Sequence, residues 1–271
     1  MKNKIVSLIL ALAVVAALVF LGGAKRIASV TEKIVPVMAV LYIVGSIVIL
    51  VARIKYVPEA FGMIFRYAFR PDSLIGGGIG YALKTAISQG AKRGLFSNEA
   101  GMGSTPHAHA LAEVKKPHDQ GVAAMVGVFI DTFVVLTMTG LVVISTLYTS
   151  DGILFTGAAD GVEKTNMAML AFGKVFGSTG ANIFVAVCLF FFAFSTIISW
   201  NYFGKINFEN LFGKKALPVY FVIATVFIFL GSLASNNLVW ELTDMFNQLM
   251  VLPNVIAIVA LGSIVAKSAK K

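Results

Sequence analysis

Along this chain apolar residues come in continuous runs, not in alternation. Such runs cover 5–23, 35–52, 121–148, 181–203 and 218–234, and a further one, 246–266, carries on across Pro253. A bilayer core takes roughly 20 apolar residues of helix, so each run is a candidate crossing. One more segment, 76–108, starts apolar and glycine-rich, then enters a polar stretch. The pattern predicts about seven membrane crossings. A transmembrane β-barrel would need strict alternation, and the continuous runs exclude it. Between the runs lie polar stretches at 24–33, 53–72, 149–180 and 204–217. Within these, 56–69 (YVPEAFGMIFRYAF) and 162–176 read as amphipathic helices on the membrane surface or over a vestibule. The expected fold class is an all-α polytopic membrane protein.

Composition sharpens this reading. Of 271 residues, 58% are hydrophobic and 13% charged, and the mean hydropathy is +0.87. That balance cannot cover a water-soluble surface of this size. A single cysteine, Cys188, sits in an apolar run, which leaves no disulfide framework and no cysteine metal site. The net charge of +9 is scattered through short loops. A nucleic-acid partner would need it gathered on one face, so none is expected, and positive-inside topology explains the excess instead. The tail carries Lys267, Lys270 and Lys271, whereas the loop before the last run carries Glu241 and Asp244. Lys205, Lys214 and Lys215 against Glu209 make the 205–217 loop basic again. The alternation predicts a multi-pass protein of the cell membrane with a cytoplasmic C-terminus. The 53–72 stretch, also basic, does not fit it. The beginning, MKNKIVSLILALAVVAALVFLGGA, has the shape of a signal peptide too. Its apolar run exceeds a signal core and Lys25-Arg26 follow directly, so an uncleaved helix is expected.

The segment GLFSNEAGMGSTP, residues 94–106, is the polar exception in an oily chain. A continuous helix satisfies its own backbone and offers a ligand little at membrane depth. A broken one frees N–H and C=O groups, which is tolerable where they line a cavity or meet a ligand. Gly101 and Gly103 lower the cost of leaving helical dihedrals, and Pro106 is suited to the first turn of a following half-helix. Such a break at about 96–103 would offer N–H groups to the carboxylate of a small zwitterion and oxygens to its ammonium. A merely polar loop is the alternative. Other motifs fail: GGGIG lacks a dinucleotide fingerprint's spacing, no Gly-Lys-Ser/Thr follows, and His107 and His109 have no third metal ligand.

The run GAKRGLFSNEAGMGSTPHAHA resembles the signature of the alanine or glycine:cation symporter family. The likeness continues collinearly through KRIASVTEKIVPVMAVLYIVGSIVIL, GVFIDTFVVLTMTGLVV, FFFAFSTIISWNYFG and LVWELTDMFNQLMVLPNVIAIVAL. It implies sodium-coupled transport of alanine, glycine or a similar small neutral amino acid. No cofactor is implied besides sodium as the co-transported ion, and the partners are the amino acid and the lipid bilayer. It also implies a leucine-transporter type fold, two inverted five-helix repeats with broken first and sixth helices. In that scheme the opening segment is the sixth-helix break, with Phe96, Ser97, Asn98, Gly101 and Met102 near the substrate. FSTIISW matches the eighth helix, where Ser195 and Thr196 correspond to the hydroxyl pair that ligates sodium. Trp200, one turn on, either lines the substrate pocket or anchors at the interface.

The resemblance covers only about helices four to ten. The glycine- and threonine-rich first broken helix has no counterpart before residue 90, so the first repeat is largely missing. The 271 residues therefore read as one incomplete transmembrane transporter domain, a truncated or split symporter. The alternative is a non-transporting subunit or remnant that requires a partner chain supplying the N-terminal helices. Asp131, alone in VGVFIDTFVVL, costs about 2.5 kcal/mol or more at mid-depth and should face protein or water. It either senses a cation or bonds a neighbouring residue or helix. Asn247, Gln248 and Asn254 are expected to bond between helices. Ser97, His107 and Asp131 show no triad spacing, so no enzymatic activity is expected.

Overall fold

The computed structural model describes residues 23–69, 79–156, 162 and 166–269. Among these residues every regular element is helical. The chain enters as α1, Gly23–Ala52, followed by α2, Val57–Phe69, and α3, Ile79–Ser97. A short helix α4, Pro106–His109, leads to α5, which runs Pro117–Tyr148. Then come α6, Met167–Phe212, α7, Leu217–Leu233, and α8, Asn236–Ala269. Among the described residues, five helices are long and apolar enough to cross a bilayer: α1 from Ser29, α5, α6, α7 and α8. The expected crossing at 5–23 lies outside the described residues, and α3 is not among those five.

Helix ends differ from the apolar runs for local reasons. Helix α1 extends through the polar stretch 24–33, and α6 extends nine residues past the run that ended at 203. Polar side chains do not end a helix that keeps its backbone bonded. Both internal prolines, Pro36 and Pro253, lie inside continuous helices. At lipid depth the helix is the only satisfied backbone, so a proline is carried within it. The amphipathic helix expected at 162–176 is realised as the first part of α6. It ends at Gly177, whose φ of 71° and ψ of 165° break the helix in a region that glycine alone visits readily. Two stretches of α5, Ile130–Val135 and Ile144–Tyr148, are wound as π-helix, a widened turn common at functional positions.

The chain divides into two compact units. One consists of Val37–Ser97 and Val126–Phe190. Its core gathers Ile49, Val142, Leu147, Ala171, Phe172 and Ala181. The turn at Gly177 lets Phe172 stack on Phe184 at 5.0 Å between ring centroids. Gly45 lies directly under the Phe184 ring, where a methyl group would overlap it. Where α1 ends, Arg53 is 8% exposed, and its fork closes on Asp151 with bonds of 2.6 and 2.7 Å. The same guanidinium donates to Ser145 O and Thr149 Oγ1 and lies 3.8 Å over the Tyr56 ring. Lys174 adds a bond to Asp151 O. Arg53 holds the Asp151 carboxyl well below the usual carboxylate range, with Thr149 and Lys174 acting in the same direction.

The other unit consists of Met1–Pro36, Asn98–Met125 and Phe191–Lys271. Phe194, Ile198, Tyr202 and Phe203 recur along α6 at helical spacing and pack against Val30 and Ile34 of α1 and Phe221 and Ile228 of α7. The absence of a side chain at Gly204 admits Tyr220, whose hydroxyl donates to Asn201 O at 2.8 Å. Outward-facing residues of α7 and α8 are large and apolar; Val259 is 76% exposed. Such faces suit lipid rather than water.

Candidate functional site

Regular helix stops at Ser97, and an irregular break runs from there to Pro106, where a four-residue helix begins. Its cause is local. Glu99 has φ 57° and Gly103 has φ 73°, both left-handed, and Glu99 is the one non-glycine residue in that region among the described residues. A single left-handed residue reverses the chain's course and ends the i to i−4 ladder. Asn98 helps by accepting from Ala100 N–H through its own Oδ1 at 3.1 Å, the short-range bond that makes Asn a turn residue. Pro106 then starts α4, as its missing N–H favours.

Within the Asn98-containing unit the break is held from three directions. From α8, Asn254 Nδ2 donates to Ala100 O at 3.1 Å and to Gly101 O at 2.9 Å. From α6, Trp200 Nε1 donates to Glu99 Oε1 at 2.9 Å. Inside the loop, Ser104 Oγ donates to Glu99 Oε2 at 2.7 Å, and Ser104 is buried. His107 is fixed by Ser104 O at 2.9 Å and by Asn207 Nδ2 at 3.1 Å, and its ring lies against Phe203. Met102 is buried at 2% exposure. The N–H groups of Met102 and Gly103 both reach Glu99 O, each at 3.2 Å, the long end of the hydrogen-bond range.

The other unit holds the last residues before the break. Ser97 Oγ donates to Asp131 Oδ2 at 2.7 Å, and Asp131 lies in the first π-helical stretch of α5. The half-buried Asp131 is thus bonded from a neighbouring helix, one of the two roles the sequence left open for it. Phe96 is half-buried here.

The expected sodium pair is placed differently. Ser195 is buried, and its hydroxyl donates back to Phe192 O at 3.0 Å, while Thr196 on the same helix is exposed. Consecutive helical residues point about 100° apart, which accounts for the difference. Of the expected substrate residues, Asn98, Gly101 and Met102 share the break, and Trp200 reaches it through Glu99. Asn254, expected to bond between helices, instead donates from α8 to loop carbonyls of the break, a target that composition does not reveal. Glu99 is not among the expected substrate residues, and a glutamate gives no sequence signal of a left-handed backbone.

The family model described as the sodium:alanine symporter family matches residues 1–271. The chain belongs to that family. Members of the sodium:alanine symporter family are transporters, not enzymes. The sodium/alanine symporter AgcS of Methanococcus maripaludis is 40% identical over 260 residues, covering 96% of this chain and 55% of its own length. The amino-acid carrier protein AlsT of Bacillus subtilis is 38% identical over 266 residues, 98% of this chain and 54% of its own length. A sodium/proton-dependent alanine carrier protein of Bacillus sp. strain PS3 is 36% identical over 271 residues, 95% of this chain and 59% of its own length. The chain thus spans about half the length of these curated relatives.

Proposed function

We propose that the chain takes part in secondary active transport of a small neutral amino acid, alanine or glycine, coupled to sodium. The carrying observation is the interrupted helix between Ser97 and Pro106 in a chain of this family. In this reading the N–H groups of Met102 and Gly103, engaged at 3.2 Å, are the donors a substrate carboxylate would take over. Exchanging a long bond for a charge-assisted one is favourable. By the family resemblance the substrate contacts are Phe96, Ser97, Asn98, Gly101, Met102 and Trp200, and the sodium ligands are the hydroxyls of Ser195 and Thr196. The Ser195 hydroxyl donates its proton to Phe192 O, a bond that does not use the oxygen lone pairs a cation would take. Helices found in the other half of the relatives' length complete the site, in the same polypeptide or in a partner chain. The arrangement is that of the leucine-transporter type fold, with the C-terminus cytoplasmic. Sodium binding favours the state that holds substrate, so each ligand raises the other's affinity.

The test is binding of labelled alanine to purified protein, followed by uptake into proteoliposomes under an inward sodium gradient. Binding that strengthens with sodium and uptake that collapses without it support the reading. Alanine binding indifferent to sodium refutes the coupling. Sodium-dependent binding without uptake identifies a subunit that needs a partner to transport.

A further inference from the structure

Glu99 stands out on three counts. Its backbone is left-handed at φ 57°, its carboxylate accepts from two different segments, and it opens the break, two residues after the helix ends. A left-handed turn is most cheaply made with glycine, and glycine is abundant in this very stretch. The backbone geometry alone therefore gives no reason for a glutamate here. Its side chain does. One carboxylate oxygen takes the indole N–H of Trp200 from α6, and the other takes the hydroxyl of Ser104 at 2.7 Å, five residues on. Trp200 meanwhile packs edge-on against Phe203 at 6.3 Å between centroids, so the ring is steered by one polar contact and one aromatic one. Strained residues held by surrounding bonds cluster at ligand clamps and switch regions.

We propose that Glu99 is a positioning residue that ties the indole of Trp200 to the helix break, making that ring a fixed wall of the substrate seat. This rests on the reading of the break as the seat. The left-handed turn throws the carboxylate toward α6. Ser104 locks its second oxygen, and Trp200 becomes the reporter of how the break is set. Backbone and side-chain roles separate cleanly. Glu99→Gly keeps the turn, since glycine accepts φ 57° without strain, but removes the tether. Glu99→Gln keeps both contacts, because its carbonyl oxygen accepts from the indole and its amide donates to the Ser104 hydroxyl.

Trp200 and Trp240 are the two tryptophans, so Trp240→Phe leaves Trp200 as the single tryptophan, excited selectively beyond tyrosine absorption. In that background, adding Glu99→Gly should shift the Trp200 emission and increase its quenching by acrylamide. Glu99→Gln should leave both close to the parent. The glycine variant should then bind alanine several-fold more weakly, with the glutamine variant intermediate or normal. Unchanged Trp200 emission and quenching in the glycine variant overturn the tether, whatever alanine does. An emission change in glycine and glutamine variants alike overturns it too, because the contacts are preserved in the latter. Parent protein that shows the tether by fluorescence yet fails to bind alanine refutes the substrate reading and leaves the tether standing.

Discussion

Replacing Gly103 by alanine tests the construction of the break directly. At φ 73° an L-residue costs about 1 kcal/mol more than glycine. The added Cβ would stand 2.5 Å from Asn254 Oδ1 and 2.7 Å from its Cγ, so that side chain must swing away. Swinging away gives up its bonds to Ala100 O and Gly101 O. Side-chain hydrogen bonds within membrane proteins are worth about 0.6–1.7 kcal/mol each, which puts this second loss at about 1–3 kcal/mol. Gly103→Ala should therefore cost about 2–4 kcal/mol in all. Asn254→Ala alone should cost about 1–3 kcal/mol. In the double variant the overlaps with Oδ1 and Cγ are gone, and the 3.1 Å approach to the Cβ of residue 254 needs only a shift of a few tenths of an ångström, so it should cost about 1 kcal/mol more than Asn254→Ala. The single buried thiol, Cys188, supplies the assay, since a thiol-reactive dye in detergent reports unfolding as that residue emerges. Strict additivity of the two single variants would refute the argument, because it would mean that Gly103 and Asn254 do not share one contact.

Other expectations follow from the remaining polar contacts. Asp151→Asn should destabilise the protein by about 1–3 kcal/mol, since Arg53 is left with its charge in a largely buried place. The folded Asp151 titrates below its unfolded value near about 3.9, so its contribution is fully present above that pH and fades only as the medium becomes strongly acid. Equal unfolding temperatures of parent and Asp151→Asn at neutral pH would contradict it. Asp131→Asn keeps an acceptor for Ser97 and should cost less than about 1 kcal/mol, whereas Asp131→Ala should cost more; thermal unfolding of the two decides, and equal losses would rule out the Ser97 bond as the stabilising contact. Ser195→Ala or Thr196→Ala, in a transporting assembly, should raise the sodium concentration needed for half-maximal uptake more than it lowers expression. Unchanged sodium dependence in both would remove these hydroxyls from the ion site.

Much of the architecture was legible because lipid imposes a simple rule: apolar length becomes helix. The runs at 121–148 and 218–234 appear in α5 and α7 nearly in place. Where reading fell short, the cause lies in backbone detail that composition does not carry. Nothing in ANIF or KVFGST distinguishes the helix-breaking Gly177 from the helical Gly180 three residues later. The break at 98–105 was legible through Gly101, Gly103 and Pro106, but its sharpest turn falls on Glu99, a residue with no turn signature. The Arg53–Asp151 clasp joins residues 98 apart and could not be seen by any local pattern. Asp131 shows the opposite case. A charge in the middle of an apolar run announces that it has a partner, and only the partner's identity, Ser97, required coordinates.

The grip of Asn254 on the Ala100 carbonyl spans 154 positions of chain. A ribosome adding about 5–20 residues per second takes on the order of ten seconds to cover that interval. Throughout that delay the loop after Ser97 has been made while its last clasp has not. Its exposed carbonyls must be watered or sheltered by the insertion machinery meanwhile, and the loop sets only once α8 has been made.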